Sequence, residues 1–194
     1  MKLDMKYIGK LAVTLCATCA VVAGLLGLVN SVTAGPIEQI NIENTNKALA
    51  AVFQGAAAPE FPEMEVSDEM KAAAASAGAT LQTAYEAKDG GEVIGHAMKI
   101  VASGSQGNIE MVVGVDSEGA VTGVSIVDNA ETAGIGSRVM ENENGVLDQF
   151  IGKSTAGGTL TVGQNVDAIS GATVSSRGVT TGVNAALAVA GVMG

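Results

Sequence analysis

D-A-I-S-G-A-T-V-S-S, running from Asp167 to Ser176, sets the reading of this chain. Four hydroxyls, those of Ser170, Thr173, Ser175 and Ser176, surround the Gly171-Ala172 pair. The residues that follow are amphipathic. Val179, Val183, Leu187 and Ala190 recur at helical spacing, which predicts a helix from Ser175 to about Val192. The hydroxyl-rich turn therefore lies just ahead of a helix N-terminus, where unpaired N–H groups favour an anion. The small side chains at Gly171 and Ala172 let a bulky group approach the backbone. Spacing alone leaves two readings: a phosphate-bearing ligand beside Thr173, or a Ser/Thr-rich N-cap with nothing bound. Under both, the apolar stripe is structural and anchors Thr173 against the rest of the domain.

Upstream of this stretch the pattern is one of strands separated by glycine turns. Leu81–Lys88 ends at Asp89-Gly90-Gly91, and Val93–Ala102 ends at Ser103-Gly104-Ser105-Gln106-Gly107. Ile109–Val115 alternates Ile109, Met111, Val113 and Val115 against Glu110, Val112 and Gly114, which predicts a half-buried strand. Asp116-Ser117-Glu118-Gly119 turns the chain, and Val121–Val127 returns it. Consecutive strands with short connections predict an antiparallel meander. No G-x-G-x-x-G follows a strand, so a Rossmann site is not expected. Ala130–Gly136 reads as a flexible loop, with Gly134 and Gly136 permitting close backbone approach. Arg138, just beyond, has two candidate partners, a phosphate or an acidic neighbour. Gly145–Ile151 is expected as a short helix and Thr159–Val162 as one further strand.

The amino terminus reads as an address. Leu11–Val29 is an uncharged run of nineteen residues, long enough to span a bilayer as a helix. Lys2, Lys6 and Lys10 precede it, whereas Glu38 and Glu43 follow. The positive-inside rule then puts the terminus in the cytoplasm and everything after about Ala34 on the far side. A cleaved signal peptide ending at Val32-Thr33-Ala34 is the competing reading, but the apolar run is long for a signal core. Gly35-Pro36 is expected to end the membrane helix. Ile37–Phe53 is mildly helical, Gly55–Met64 suits a linker or wrapped arm, and Ser67 opens a helix that Gly78 stops. The expected organisation is an anchor over 1–34, a linker and helical arm over 35–78, and a ligand-binding domain over 79–194.

Charge and residue types limit the chemistry. Residues 1–34 carry a net charge of +2 and residues 35–194 a net charge of −12. So acidic a domain argues against nucleic acid as a direct partner. The two cysteines, Cys16 and Cys19, share one face of the apolar run. They suit small apolar residues against lipid, or half of a metal site completed by another subunit. The part beyond the anchor has no cysteine and one histidine, His96, which reads as a surface or packing residue. No Ser/His/Asp set, HExxH or CxxC pair is available there, so no catalytic or metal-ligating residue is assigned. Redox chemistry in this domain would require a bound cofactor.

Ser170-Gly171-Ala172-Thr173-Val174-Ser175 resembles the S-G-A-T-x-[ST] signature of proteins that carry FMN in a phosphoester bond to the threonine. That family includes the G subunit of the Rnf ion-translocating electron-transport complex and the C subunit of the sodium-pumping NADH:quinone reductase. Glu131-Thr132-Ala133-Gly134-Ile135-Gly136 is similar to the family's E-T-P-G-[IL]-G loop, with Ala133 in place of proline. Val112–Gly119, V-V-G-V-D-S-E-G, is a third match. The resemblance implies an α+β protein: one N-terminal transmembrane helix, then an extracytoplasmic FMN-binding domain with an antiparallel sheet and flanking helices. It implies FMN bound covalently at Thr173, attached by a separate flavin transferase. Around it would stand Ser170, Gly171, Ala172, Ser175 and Ser176 from one stretch, and Glu131, Thr132, Gly134 and Gly136 from the other. It further implies an electron-relaying subunit of an Rnf-type ferredoxin:NAD oxidoreductase, partnered by other membrane subunits and without substrate turnover of its own. A stand-alone extracytoplasmic FMN carrier, or an equivalent of the quinone reductase's C subunit, is the alternative. Besides Ala133, the sequence departs from the family at His96, where a tyrosine is common, and in the Gly104–Gly107 turn, which lacks its usual aromatic.

Overall fold

The computed structural model describes residues 5–193. Its first element, α1 (Met5–Val52), is a 48-residue helix. The chain divides into two compact units, residues 1–42 and 43–194. In the first, α1 carries a segment long and apolar enough to cross a membrane. Leu11, Leu15, Leu25, Leu26 and Leu28 are all exposed there. Cys16 and Cys19 are free and exposed. Lys2, part of the charge pattern ahead of the span, lies outside the described residues.

The helix does not end at Gly35-Pro36 as expected, because Pro36 lies within α1. Proline removes one N–H from the helical ladder, which weakens a long helix locally without terminating it. The mildly helical stretch after it continues the same element, and Glu43–Val52 belongs to the second unit.

That unit is built on an antiparallel sheet. Two short arms, β1 (Pro59–Glu60) and β2 (Glu63–Met64), both pair with β3 (Thr80–Asp89). Next come β4 (Glu92–Ser103), β5 (Asn108–Asp116) and β6 (Val121–Asn129), in the order β1-β3-β4-β5-β6. The segment expected as linker or arm is thus a wrapped arm, with Asp89 accepting from the N–H groups of Ala57 and Ala58. Between arm and meander lies α2 (Asp68–Ser76). Its N-cap Ser67 accepts from the Met70 N–H at 3.2 Å, and Asp68 and Glu69 occupy the first turn.

Strand β5 is buried throughout its middle rather than half-buried. Ile109, Met111, Val113 and Val115 face the main core, with α2 and the last helix. Val112, on the other face, joins Ala87, Ala97, Leu49, Val52 and Phe53 in a second core. The end of α1 thus covers the face that an alternating pattern would leave wet. Contact is close, since a Cβ at Gly114 or Gly123 would stand 3.0 Å from atoms of Val52.

After β6 the chain forms α3 (Ser137–Met140) and two 3-10 turns, Glu143–Gly145 and Asp148–Phe150, where a single short helix was expected over Gly145–Ile151. Left-handed backbone at Asn144 and Gly145 interrupts it. The strand expected at Thr159–Val162 is reduced to one bridge, Val162 to Val166. Its place is taken by a side chain. Asn184 accepts from the Leu160 N–H (3.0 Å) and donates to the Leu160 carbonyl (2.9 Å), as a neighbouring strand would. The chain ends in α4 (Thr173–Met193), whose Val179, Val183 and Leu187 are buried in the main core, with Ala190 partly buried beside them.

Candidate functional site

Helix α4 begins at Thr173, two residues earlier than the apolar stripe suggests, so Thr173 is its first residue and not a neighbour of it. The Ala172 carbonyl accepts the first helical bond, from Ser176 N–H at 2.9 Å, which puts alanine at the N-cap. Alanine has no oxygen with which to cap a helix. Among the described residues, the N–H groups of Thr173, Val174 and Ser175 accordingly have no acceptor in the chain. Gly171 supplies the left-handed residue (φ 84°) that turns the chain into the helix.

The four hydroxyls of the stretch separate into three roles. Ser176 is buried; its Oγ accepts from the Ile169 N–H (3.3 Å) and donates to the Ala172 carbonyl (3.0 Å), holding the turn against the helix. Ser175 is buried as well and donates to Glu131 Oε2 at 2.6 Å. Ser170 is exposed and faces a different recess, of about 420 Å³, shared with Arg138 and Asp167. Only Thr173 is exposed at the helix end with its hydroxyl unpartnered.

The Ala130–Gly136 loop meets this helix end through Glu131. Its Oε1 accepts from the Ser105 N–H (2.6 Å) and the Gln106 N–H (3.4 Å), while Oε2 receives the Ser175 hydroxyl. One carboxylate therefore joins the β4–β5 turn, the loop and α4. Its charge stands at the N-terminal end of α4, where the helix dipole favours it. A Cβ at Gly136 would stand 2.9 Å from both Glu131 Cβ and Ser175 Oγ, so the loop depends on glycine here to reach the helix. Thr132 accepts at its carbonyl from the N–H groups of Ile135 (3.2 Å) and Ser137 (3.3 Å), and Gly134 N–H donates to Ser137 Oγ.

Between these pieces lies a cleft of about 260 Å³, lined by residues of the three segments, among them Glu131, Thr132, Ile135, Gly136, Gly171, Ala172, Thr173 and Ser175. Seven of the ten residues singled out in the sequence line this cleft. Gly134 lies on the loop beside it, and Ser176 beneath the turn; Ser170 faces the neighbouring recess. Four lining residues escaped the sequence reading: Ile135 and Val174, inside the two motifs, and Ser105 and Gln106, whose backbone N–H groups bind Glu131. A larger cleft of about 590 Å³ lies on the other side of the sheet, by Phe53, Thr122 and Ile151, away from Thr173. Arg138 settles on an acidic neighbour, forming a two-pronged ion pair with Glu143 (2.6 Å for each bond) that holds the Glu143 carboxyl below its usual range. His96 lies on β4 opposite Glu86, and partial burial lowers its affinity for a proton. Among the described residues no group of three or more His, Cys, Asp or Glu is disposed to hold a metal.

A free hydroxyl beside three open N–H donors suits an anionic ester. The family described as FMN-binding domain matches residues 104–188, which span all of these segments. The G subunit of the Na(+)-translocating ferredoxin:NAD(+) oxidoreductase complex of Acetobacterium woodii is 34% identical over 97% of this chain and 94% of its own length. The chain belongs to this family of G subunits. Its counterpart in the ion-translocating oxidoreductase complex of Methanosarcina acetivorans is 31% identical, over 95% of each chain. Among solved structures, the C subunit of the Na(+)-translocating NADH-quinone reductase of Parabacteroides distasonis aligns with a TM-score of 0.50 at 20% identity, covering 79% of this chain and 92% of that one. This last likeness is one of fold. For a G subunit, a membrane-associated chain with an apolar helix ahead of an α+β domain is the expected architecture, and it is the one observed.

Proposed function

We propose that this G subunit carries FMN in a phosphoester bond to Thr173 and relays electrons within an ion-translocating ferredoxin:NAD-type oxidoreductase of the membrane. The observation that carries the reading is the Thr173 hydroxyl, exposed and unpartnered at a helix end whose first N–H groups lack acceptors. The residues fit the group. The N–H groups of Thr173, Val174 and Ser175 would receive the phosphate oxygens, and the dipole of the 21-residue α4 adds favourable charge. Gly171, with nothing within 4 Å of where a Cβ would stand, leaves the approach to that hydroxyl clear.

Bound FMN supplies the electron-transfer chemistry that the side chains lack. The chain's own contribution is attachment, orientation and charge. Glu131 fixes the cleft, and Ser176 fixes the turn. A covalent bond suits a domain outside the cytoplasm, where a dissociated flavin would be lost, and a flavin transferase would install it. The charge pattern around the span supports a cytoplasmic amino terminus with the FMN-bearing domain on the far side. The names of the relatives favour a ferredoxin:NAD complex over a stand-alone carrier, with its other subunits as partners.

The test is direct. Protein produced together with a flavin transferase should be yellow, and should stay yellow after acid precipitation. Thr173→Ala should lose the attached mass of FMN completely while unfolding at the temperature of the parent protein. Covalent flavin retained by that variant would assign the bond to another hydroxyl, and a colourless parent protein would remove the flavin reading.

A further inference from the structure

We infer that the groove along β6, on the side of the sheet away from Thr173, receives an extended basic segment of another subunit of the membrane complex. This rests on the reading of the chain as a complex subunit and not on where the flavin is attached. The groove holds about 590 Å³ and runs between Phe53 and the turn after it, Ile94, residues 122–124 of β6 and Ile151. Strand β6 is the last in the order of the sheet, so no strand pairs with its outer edge. Val121 is covered, donating to the Lys153 carbonyl (2.9 Å) and accepting from the Gly152 N–H (2.8 Å). Among the described residues, no backbone bond from outside the sheet reaches residues 122–127. That stretch, T-G-V-S-I-V, has none of the charges or prolines that guard a free edge. Such an edge is a template for an added strand.

Thr122 carries the second observation. Its Oγ1 is the one buried side-chain oxygen or nitrogen among the described residues without a hydrogen-bond partner. Buried hydroxyls are nearly always paired, and a chain laid along β6 brings backbone donors and acceptors to this position. Charge then sets the kind of segment. Asp89 and Asp148 line the groove, and no Lys, Arg or His lines it with them. Asp89 is held by the N–H groups of Ala57 and Ala58 and Asp148 by Asn142 Nδ2, but neither carboxylate is in an ion pair. Ile151 stands 55% exposed beside them. A segment with apolar side chains and a lysine or arginine complements this lining. A second copy of this domain, with its net charge of −12 beyond residue 34, brings the wrong sign.

The experiment uses the tagged full chain, made with a flavin transferase and isolated with the complex it assembles in. Ile151→Glu should lower the other subunits recovered at least about tenfold, the effect of an unpaired charge in an apolar contact. Its FMN mass and unfolding temperature should match the parent chain. Thr122→Val removes the hydroxyl alone. Outside the complex this variant should unfold at a higher temperature than the parent, yet it should retain fewer subunits. A benzophenone amino acid at position 151 should cross-link to one other subunit, through a peptide containing Lys or Arg, whereas at position 192, on the end of α4, it should not. Full recovery of subunits with both variants overturns the inference. So does an adduct at position 151 to a second copy or to lipid alone, or no adduct in a complex that keeps all its subunits. A parent chain that brings no other subunit overturns it too. A complete complex with no FMN on Thr173 removes the attachment reading and leaves this inference standing.

Discussion

Gly134, with φ of 74°, lies third in a four-residue turn that Ile135 N–H closes on the Thr132 carbonyl. A left-handed third residue defines a type II turn, whose second position favours proline. Ala133 occupies that position, where the related loop sequence has proline. Its N–H has no acceptor in the chain, so none would be lost to the ring. Ala133→Pro should therefore stabilise the domain by about 0.4–1 kcal/mol, by restricting the unfolded chain. A urea titration checks this, and a lower midpoint would mean that Ala133 lies outside the conformation proline accepts. At this scale the sequence was informative wherever one residue's chemistry sufficed. Thr173 and the loop glycines could be picked out as letters. Glu131 could be picked out too, but not its role as a brace, because its three partners come from segments 25 to 44 residues away.

Besides Gly191 in its last turn, helix α4 contains two interior glycines that its amphipathic pattern does not explain, each costing a helix interior about 1 kcal/mol relative to alanine. Both face the sheet. A Cβ at Gly178 would lie 2.6 Å from the Ser103 carbonyl oxygen and 3.0 Å from Ile109 Cδ1. At Gly182 it would meet only the far end of Met111, at Sδ and Cε. The two should respond differently. Gly178→Ala presses on backbone and should cost about 1–3 kcal/mol through overpacking, moving the start of α4 away from the β4–β5 turn. Gly182→Ala displaces only a flexible methionine, and its gain in helix propensity should leave stability nearly unchanged. Thermal unfolding of the pair decides the matter; equal losses would show that helix and sheet are not in close contact at Ser103. The four strands of the meander, their order of hydrogen bonding and the last helix were legible from periodicity, whereas β1 and β2 were expected only as a linker or arm and α1 runs on past the Gly35-Pro36 stop. Missing from that reading was the substitution of Asn184 for a strand at Leu160, since a side chain that mimics backbone leaves no periodic signal.

At the scale of the whole molecule, the second unit begins inside α1, at Glu43. Ala48, Leu49, Val52 and Phe53 are each less than 7% exposed and close the second core over Val112 and Ala97. Full burial of a large apolar side chain contributes about 1.5–3 kcal/mol, so losing Leu49, Val52 and Phe53 removes much of the roughly 5–15 kcal/mol available to a domain. A protein starting at Glu43 should thus unfold cooperatively, whereas one starting at Gly55 should melt at a much lower temperature or fail to fold. Equal melting of the two would show that the second core is dispensable. By itself the sequence determined the apolar span, the antiparallel meander, the last helix and the hydroxyl-rich turn, because each is a property of neighbouring residues and of their period along the chain. The tertiary structure alone decided that β5 is covered on both faces, that Glu131 ties three segments together, and that Thr173 is the open hydroxyl at the start of α4. Those outcomes depend on which distant groups arrive first at each donor and each apolar face, a competition settled only when the chain has closed on itself.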